Sequence, residues 1–282
     1  MERKHGRTIC NACRVSGSPV TESKEIIMTI FFSDLDNTAI YSYHHIIENP
    51  IVWVEYLHGR KQSFMTRKYY EYFMHQTWLS VVPITTRSYE QYKRLKNIAD
   101  ELRWKDALIC NGAVLLRDGV EDIAWREESI LISQADQPYF QALYDIALQL
   151  YSYENIIYIP KIMFYIKTGE PDKTFDLMCE FAALEHICVY KDSRKVYCLP
   201  TSLSKGNATK RYMKMKKETA FIAAGDSEFD ISMLAQADIC LCPEKISNQI
   251  KESGKKVTCR EIFSDAICDE MKKLRNEGNF DD

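Results

Sequence analysis

No apolar run in the 282 residues approaches the roughly 20 residues of a membrane-spanning helix; the stretch Ile156 to Ile166, for example, is broken by Pro160 and Lys161. The first residues are basic but include no apolar segment of the signal-peptide kind, so a cytoplasmic protein without a membrane partner is expected. No charge of one sign dominates. The 37 basic residues stand against 40 acidic ones, a net charge of -3, which leaves no electrostatic footprint for a nucleic-acid partner. Dense cysteine spacing is missing as well: ten cysteines scatter along the chain and read as small core hydrophobes, not as a disulfide framework. One C-x-x-C, Cys10-Asn-Ala-Cys13, has His5 upstream. A second pair that would complete four zinc ligands is absent, and no strand precedes it as a redox motif requires. Repeats and low-complexity tracts are lacking too. What remains, 46% hydrophobic and 27% charged, is a globular composition long enough for one large α/β domain or a core plus a smaller module.

The rest of the chain is organised around Ile30 to Ile40, I-F-F-S-D-L-D-N-T-A-I. Three apolar residues run towards Asp34, and Asn37-Thr38 break the run, as in a buried strand that ends in a polar loop. Asp34 and Asp36 then lie at the carboxyl edge of a strand, where open α/β sheets bind ligands. Two close carboxylates repel unless a cation or a shared proton compensates, and hard oxygen ligands beside a substrate phosphate suit Mg²⁺. The bland alternative is a strand end with two solvated aspartates.

Residues 1–27 are polar and aperiodic and read as a loose N-terminal extension, with the fold expected to begin at Met28. Ile51 to Leu57 and Gln62 to Thr66 flank a turn-like His58-Gly59-Arg60-Lys61, a hairpin that is either a flap over the site or a surface ornament. A helix over Arg67 to His75 leads to a second strand, Leu79 to Ile84, that ends in Thr85-Thr86-Arg87; Arg87 is expected to pair with a local carboxylate. A helix with Tyr89, Tyr92, Leu95, Ile98, Ala99 and Leu102 on one face follows, then a third parallel strand at Ala107 to Cys110 running into Asn111-Gly112. That rhythm predicts a parallel, doubly wound sheet. From Ala113 the rhythm changes to a hairpin reaching Trp125, a helix with Phe140, Leu143, Tyr144, Ala147, Leu150 and Tyr151 inward, a strand at Met163 to Lys167, a helix opened by Pro171, and a hairpin from Cys188 to Leu199. The parallel pattern resumes after Thr201: Lys205 at a helix start, a buried strand Thr219 to Ala224 ending in G-D-S-E-F-D, a last short strand Ile239 to Cys242, and a helical tail from Ile262.

Four strand or helix ends thus carry polar chemistry: D-L-D-N-T, I-T-T-R, S-K-G-N-A and G-D-S-E-F-D. In this order they resemble the four motifs of the haloacid dehalogenase (HAD) superfamily, and Asn111-Gly112-Ala113 is similar to the N-G-A of its Cof-like and sucrose-phosphatase-like branch. The resemblance implies an α/β fold in which a Rossmann-like doubly wound parallel sheet core, residues 28–112 and 201–282, carries an inserted α+β C2-type cap, residues 113–200. It implies Asp34 as nucleophile, Asp36 as general acid/base, Thr85 and Lys205 on the substrate phosphate, and Lys205 also neutralising charge on Asp34. Mg²⁺ would be held by Asp34, Asp226 and the Asp36 backbone carbonyl, with Asp230 and Asn111 behind them. The implied activity is a Mg²⁺-dependent phosphatase of a small phosphorylated metabolite, with a phosphomutase or phosphotransferase, or a binding module without turnover, as the alternatives. Three departures stand out. Asn37 and Thr86 replace glycines of the family pattern, and Phe229 replaces an Asn; Asn at 37 keeps the turn open because it tolerates positive φ.

Overall fold

The computed structural model of the chain describes residues 29–251, 253–259 and 262–277. The expected extension over 1–27, with His5, Cys10 and Cys13, and the start at Met28 lie outside them.

Strand Thr29–Ser33 is the middle of the molecule. It is apolar on both faces because helices cover both sides of the sheet: Phe31 stacks on Phe73 at 5.6 Å on one side, while Phe32 meets Phe221 and Tyr212 edge-on at 5.2 and 5.5 Å on the other. Five parallel strands run in the order Lys255–Cys259, Ile239–Pro243, Phe221–Ala224, Thr29–Ser33, Leu79–Pro83. The chain leaves the central strand towards Leu79–Pro83 and returns on its other side with Phe221–Ala224. Such a reversal of winding opens a crevice at the carboxyl end of the central strand. Asp34 stands there.

Several sequence expectations need correction. The third parallel strand is Asp106–Ile109, joined to the parallel set by a single bridge from Leu108 to Ile84 and paired antiparallel with Val114–Arg117. Positive φ at Cys110, Asn111 and Gly112 (51°, 59° and 91°) folds the chain straight back on itself. Trp125 belongs to helix Ile123–Ile132, since Asp122 caps that helix by accepting a hydrogen bond from the Trp125 amide at 3.1 Å. Ile239–Pro243 is followed by one more strand, Lys255–Cys259, whose leading lysines suit an exposed edge.

Between Ile123–Ile132 and Lys205, strands Ile187–Asp192, Lys195–Pro200, Met163–Lys167 and Ile156–Ile159 form an antiparallel sheet in that order. Helices Gln137–Leu150 and Pro171–Phe181 bury Phe140, Leu143, Ala147 and Met178 against Phe164, Ile166, Val196 and Cys198. The expected inward Leu150 is 47% exposed at the helix end. A third small sheet orders Tyr41–Ser42, Arg60–Thr66 and Ile51–Leu57. Its hairpin turns on His58 and Gly59 alone, both at positive φ, so the strand resumes at Arg60. Register shifts flank Glu55. Eight described cysteines are free thiols and six of them are buried, in line with their reading as core hydrophobes.

Candidate active site

The central strand hands its hydrogen-bond ladder to the site: the Asp34 amide donates to Ala224 O at 2.9 Å, and the Ile84 amide to Ser33 O at 2.9 Å. A tight loop follows, in which Asn37 adopts φ 61° and the Ile40 amide donates back to Leu35 O. Thr38, fully buried, donates its hydroxyl to Asp226 Oδ1 at 3.3 Å and ties this loop to the next strand end.

Lys205 is the first residue of helix Lys205–Lys216, capped by Ser204. Its ammonium is 1% exposed and donates to Asp34 Oδ1 and Asp230 Oδ1, each at 2.6 Å. The loop after Phe221–Ala224 winds around Asp230, whose Oδ2 accepts from the Asp226 amide, the Ser227 amide and the Ser227 hydroxyl at 2.9–3.0 Å. Gly225 makes this winding possible, because a Cβ there would lie 2.4 Å from Asp230 Cβ and Cγ. Asp34, Asp226 and Asp230 bring carboxylate oxygens within 4.8 Å of one another.

The charge balance of this cluster is negative. Burial, with Asp230 and Asp226 close by, raises Asp34 well above the usual carboxylate value although Lys205 pulls it down. Asp226 is raised by burial and by Asp230, against Lys245, whose ammonium donates to Asp226 Oδ2 at 2.8 Å. For Lys205 burial is outweighed by its two carboxylates, and it stays protonated. Asp230 takes three donors of the loop on Oδ2 and Lys205 on Oδ1, whereas Asp34 shares only Oδ1 with Lys205 and Asp226 takes one donor on each oxygen, so Asp34 and Asp226 have the lone pairs left for a cation. Two buried, mutually repelling carboxylates fit a hard divalent cation.

Asp36 behaves in the opposite way. Desolvation raises it, but the charge of Arg87 and two hydrogen bonds, Nε to Oδ2 at 2.9 Å and Nη2 to Oδ1 at 2.8 Å, hold it below the usual value. Arg87 therefore does pair with a local carboxylate, and in fact with two, since Nη2 also donates to Glu55 at 3.1 Å.

A cleft of about 360 Å³ is lined by Asp34, Asp36, Lys205 and Asp226 from the strand ends and by Tyr190, Asp192 and Ser193 from the antiparallel sheet. Phe229 joins the two sides, its ring 4.2 Å from Tyr190 and 5.3 Å from Tyr197. Asn111 is buried and ties Thr85 to the Lys205 approach: its amide donates to Thr85 O at 2.8 Å and its side chain to Leu203 O at 2.9 Å. Thr85 itself is 1% exposed and its hydroxyl accepts from the Arg87 amide at 3.2 Å; Thr86 lines the cleft. A larger cavity of about 570 Å³ lies between Tyr89, Trp104 and Val120, away from every one of these groups.

Sequence reasoning missed Glu55 and Lys245. Lys245 follows Pro243 at a strand's carboxyl edge, the same signal that singled out Asp226. Glu55 is a lone acid inside I-V-W-V-E-Y-L, a charge in a strand that otherwise reads as buried.

The profile of the haloacid dehalogenase-like hydrolases matches residues 128–271. No curated protein sequence matches the chain. Among solved structures, the sucrose-phosphatase of Synechocystis sp. PCC6803, in complex with sucrose and phosphate, superposes with a TM-score of 0.55 at 15% identity, covering 88% of this chain and 98% of its own. The HAD subclass IIB sugar phosphatase BT4131 gives 0.53 at 12% identity, with 88% and 99% covered. The phosphatase BT1666 of Bacteroides thetaiotaomicron gives 0.51 at 10% identity, with 93% and 99% covered. At such identities these likenesses speak for the fold.

Proposed function

The chain belongs to the haloacid dehalogenase-like hydrolases, and on that premise we propose that it is a Mg²⁺-dependent phosphatase of a small phosphorylated metabolite. The observation that carries the reading is the convergence of Asp34, Lys205, Asp226 and Asp230 in one buried cluster at the mouth of a cleft.

In this reading Asp34 attacks phosphorus and becomes an aspartyl phosphate while the ester oxygen leaves. Lys205, pinned between Asp34 and Asp230, keeps a positive charge against the carboxylate and the phosphoryl oxygens. Asp36, which Arg87 keeps ionised at rest, takes up the proton that the ester monoanion brings, gives it to the leaving oxygen and later takes one from the attacking water, which restores Asp34 and frees phosphate. Asp34 and Asp226, with the Asp36 backbone carbonyl, would hold Mg²⁺, which supplies charge neutralisation and polarises the phosphoryl oxygens. Asp230 keeps Lys205 and the Asp226 loop in place. Thr85 would meet a phosphoryl oxygen, and Asn111 sets the backbone on which Thr85 stands. We read residues 28–112 and 201–282 as the phosphoryl-handling core and 113–200 as a C2-type cap; the presence of Tyr190, Asp192 and Ser193 in the cleft wall supports giving the cap the choice of substrate. Structural likeness to a sucrose-phosphatase and a sugar phosphatase makes sugar phosphates the first class to try.

The test is release of inorganic phosphate from a panel of sugar, polyol and nucleotide phosphates with Mg²⁺ present and no acceptor added, with Asp34→Asn as control. Release by the wild type and none by a folded Asp34→Asn supports the reading. Transfer only to an added acceptor would make the enzyme a phosphotransferase, and no turnover of any ester would overturn the proposal.

A further inference from the structure

The hairpin Ile51–Leu57/Arg60–Thr66 carries one buried charge. Glu55 is 2% exposed, and its Oε2 accepts from Ser63 Oγ at 2.6 Å and Arg87 Nη2 at 3.1 Å while its Oε1 faces Arg94 Nε at 3.0 Å. Irregular register on both sides of Glu55 explains how it points inward next to a buried Val54: a bulge breaks the alternation of faces and re-aims one side chain. Desolvating a carboxylate between two guanidinium groups does little for stability compared with well-packed apolar residues. The arrangement calls for another role.

That role is visible at the far side of Arg87. Its guanidinium is 8% exposed and, among the described residues, is held by two carboxylates, Asp36 through Nε and Nη2 and Glu55 through Nη2, while Nη1 is buried with no partner among them. The bidentate fork fixes both oxygens of Asp36, and so the plane of its carboxylate. Asp36 is otherwise the loosest member of the site, with a side chain 43% exposed. We propose that Glu55 is a positioning residue: from the hairpin it locks Arg87, and Arg87 aims the Asp36 carboxylate at the leaving oxygen. The hairpin is then part of the catalytic assembly and not a surface ornament. This inference rests on the proton-transfer role of Asp36 proposed above.

The experiment is kinetics on Glu55→Gln, alone and combined with Asp36→Asn: steady-state turnover of an alkyl phosphate that the wild type accepts, and the rapid-mixing rate of the first phenol release from p-nitrophenyl phosphate. Glutamine keeps the size of the side chain but removes the charge that holds both guanidinium groups. On the alkyl ester kcat should fall roughly ten- to a hundredfold, part of the hundred- to ten-thousandfold that a general acid–base supplies, with little change in KM. On the aryl ester, whose leaving group needs no proton, formation of the first product should fall by less than about threefold. In the Asp36→Asn background the further loss from Glu55→Gln should be within about twofold, because residues acting as one unit are not additive. Arg94→Met, which removes only the outer partner of Glu55, should show the same pattern more weakly, and Glu55→Asp, which keeps the charge, should recover part of the rate. Circular dichroism and melting confirm that each variant is folded. Equal losses on both esters, full additivity with Asp36→Asn, or an unchanged kcat in folded Glu55→Gln overturns the inference. A wild type that releases no phosphate overturns the functional reading, and the positioning role with it.

Discussion

Asp34 and Asp36 stand two residues apart, yet burial pushes one up in pKa while an arginine fork holds the other down. Their division of labour should show in Asp36→Asn, which leaves Lys205 on Asp34 and the side-chain carboxylates of the cluster in place. With an aryl phosphate this variant should give a rapid burst of about one phenol per enzyme followed by slow release, since the water that clears Asp34 has lost its base. Rapid-mixing absorbance measures it, and a linear trace without a burst would remove Asp36 from that second step. The same residues show what a sequence can and cannot reveal. Asp34, Lys205, Asp226 and Asp230 were legible because each sits at a strand or helix end with its own local pattern. The Asp36–Arg87–Glu55 chain was not, because Arg87 lies 32 residues from Glu55 and 51 from Asp36 in the sequence, with no periodicity to link them.

At the level of elements, short buried strands with apolar runs could be read directly, as Thr29–Ser33 and Phe221–Ala224 demonstrate. Lys255–Cys259 escaped because K-K-V-T-C has the charge of an edge strand and too few apolar residues for a pattern. The antiparallel pairing of Asp106–Ile109 with Val114–Arg117 escaped because three successive positive φ values between them are a matter of tertiary fit, not of propensity. The hairpin Ile187–Asp192/Lys195–Pro200 brings Tyr190 into the cleft against Phe229. Tyr190→Ala should change the ratio of kcat/KM between two phosphate esters by about tenfold or more, as a lost pocket contact of roughly 1–3 kcal/mol does. Measured on the ester panel, an equal scaling of every substrate would reduce the hairpin to a structural part.

Across the whole molecule, the acidic cluster links stability to pH and metal. Asp34 and Asp226 have folded-state values above the usual carboxylate value, so between the two values the folded protein binds more protons than the unfolded chain. Without metal, their contribution is present at low pH and is lost as pH rises through the raised values. A divalent cation acts in the other direction, and protons compete with it. Mg²⁺ at a hundredfold excess over its dissociation constant should add about 2.7 kcal/mol, or about 5–10 °C in Tm for a chain of this size, at pH 7.5. At pH 5 the gain should be smaller. Differential scanning fluorimetry with and without EDTA decides it, and an equal Mg²⁺ shift at both pH values would separate the ion from these carboxylates. The central strand has one more consequence, in the order of folding. Its neighbours Leu79–Pro83 and Phe221–Ala224 come from distant parts of the chain, and the Thr38–Asp226 tie spans 188 residues, whereas the antiparallel sheet over 156–200 is two hairpins joined by one pairing within the same segment, Met163–Lys167 with Lys195–Pro200. Loop closure therefore delays the middle of the core until its far partner is available, while the inserted sheet can zip locally. Pulsed hydrogen exchange during refolding should find amides of Met163–Lys167 and Lys195–Pro200 protected before those of Thr29–Ser33, and a nascent chain on the ribosome acquires Lys205 and Asp226 only after the inserted sheet has emerged.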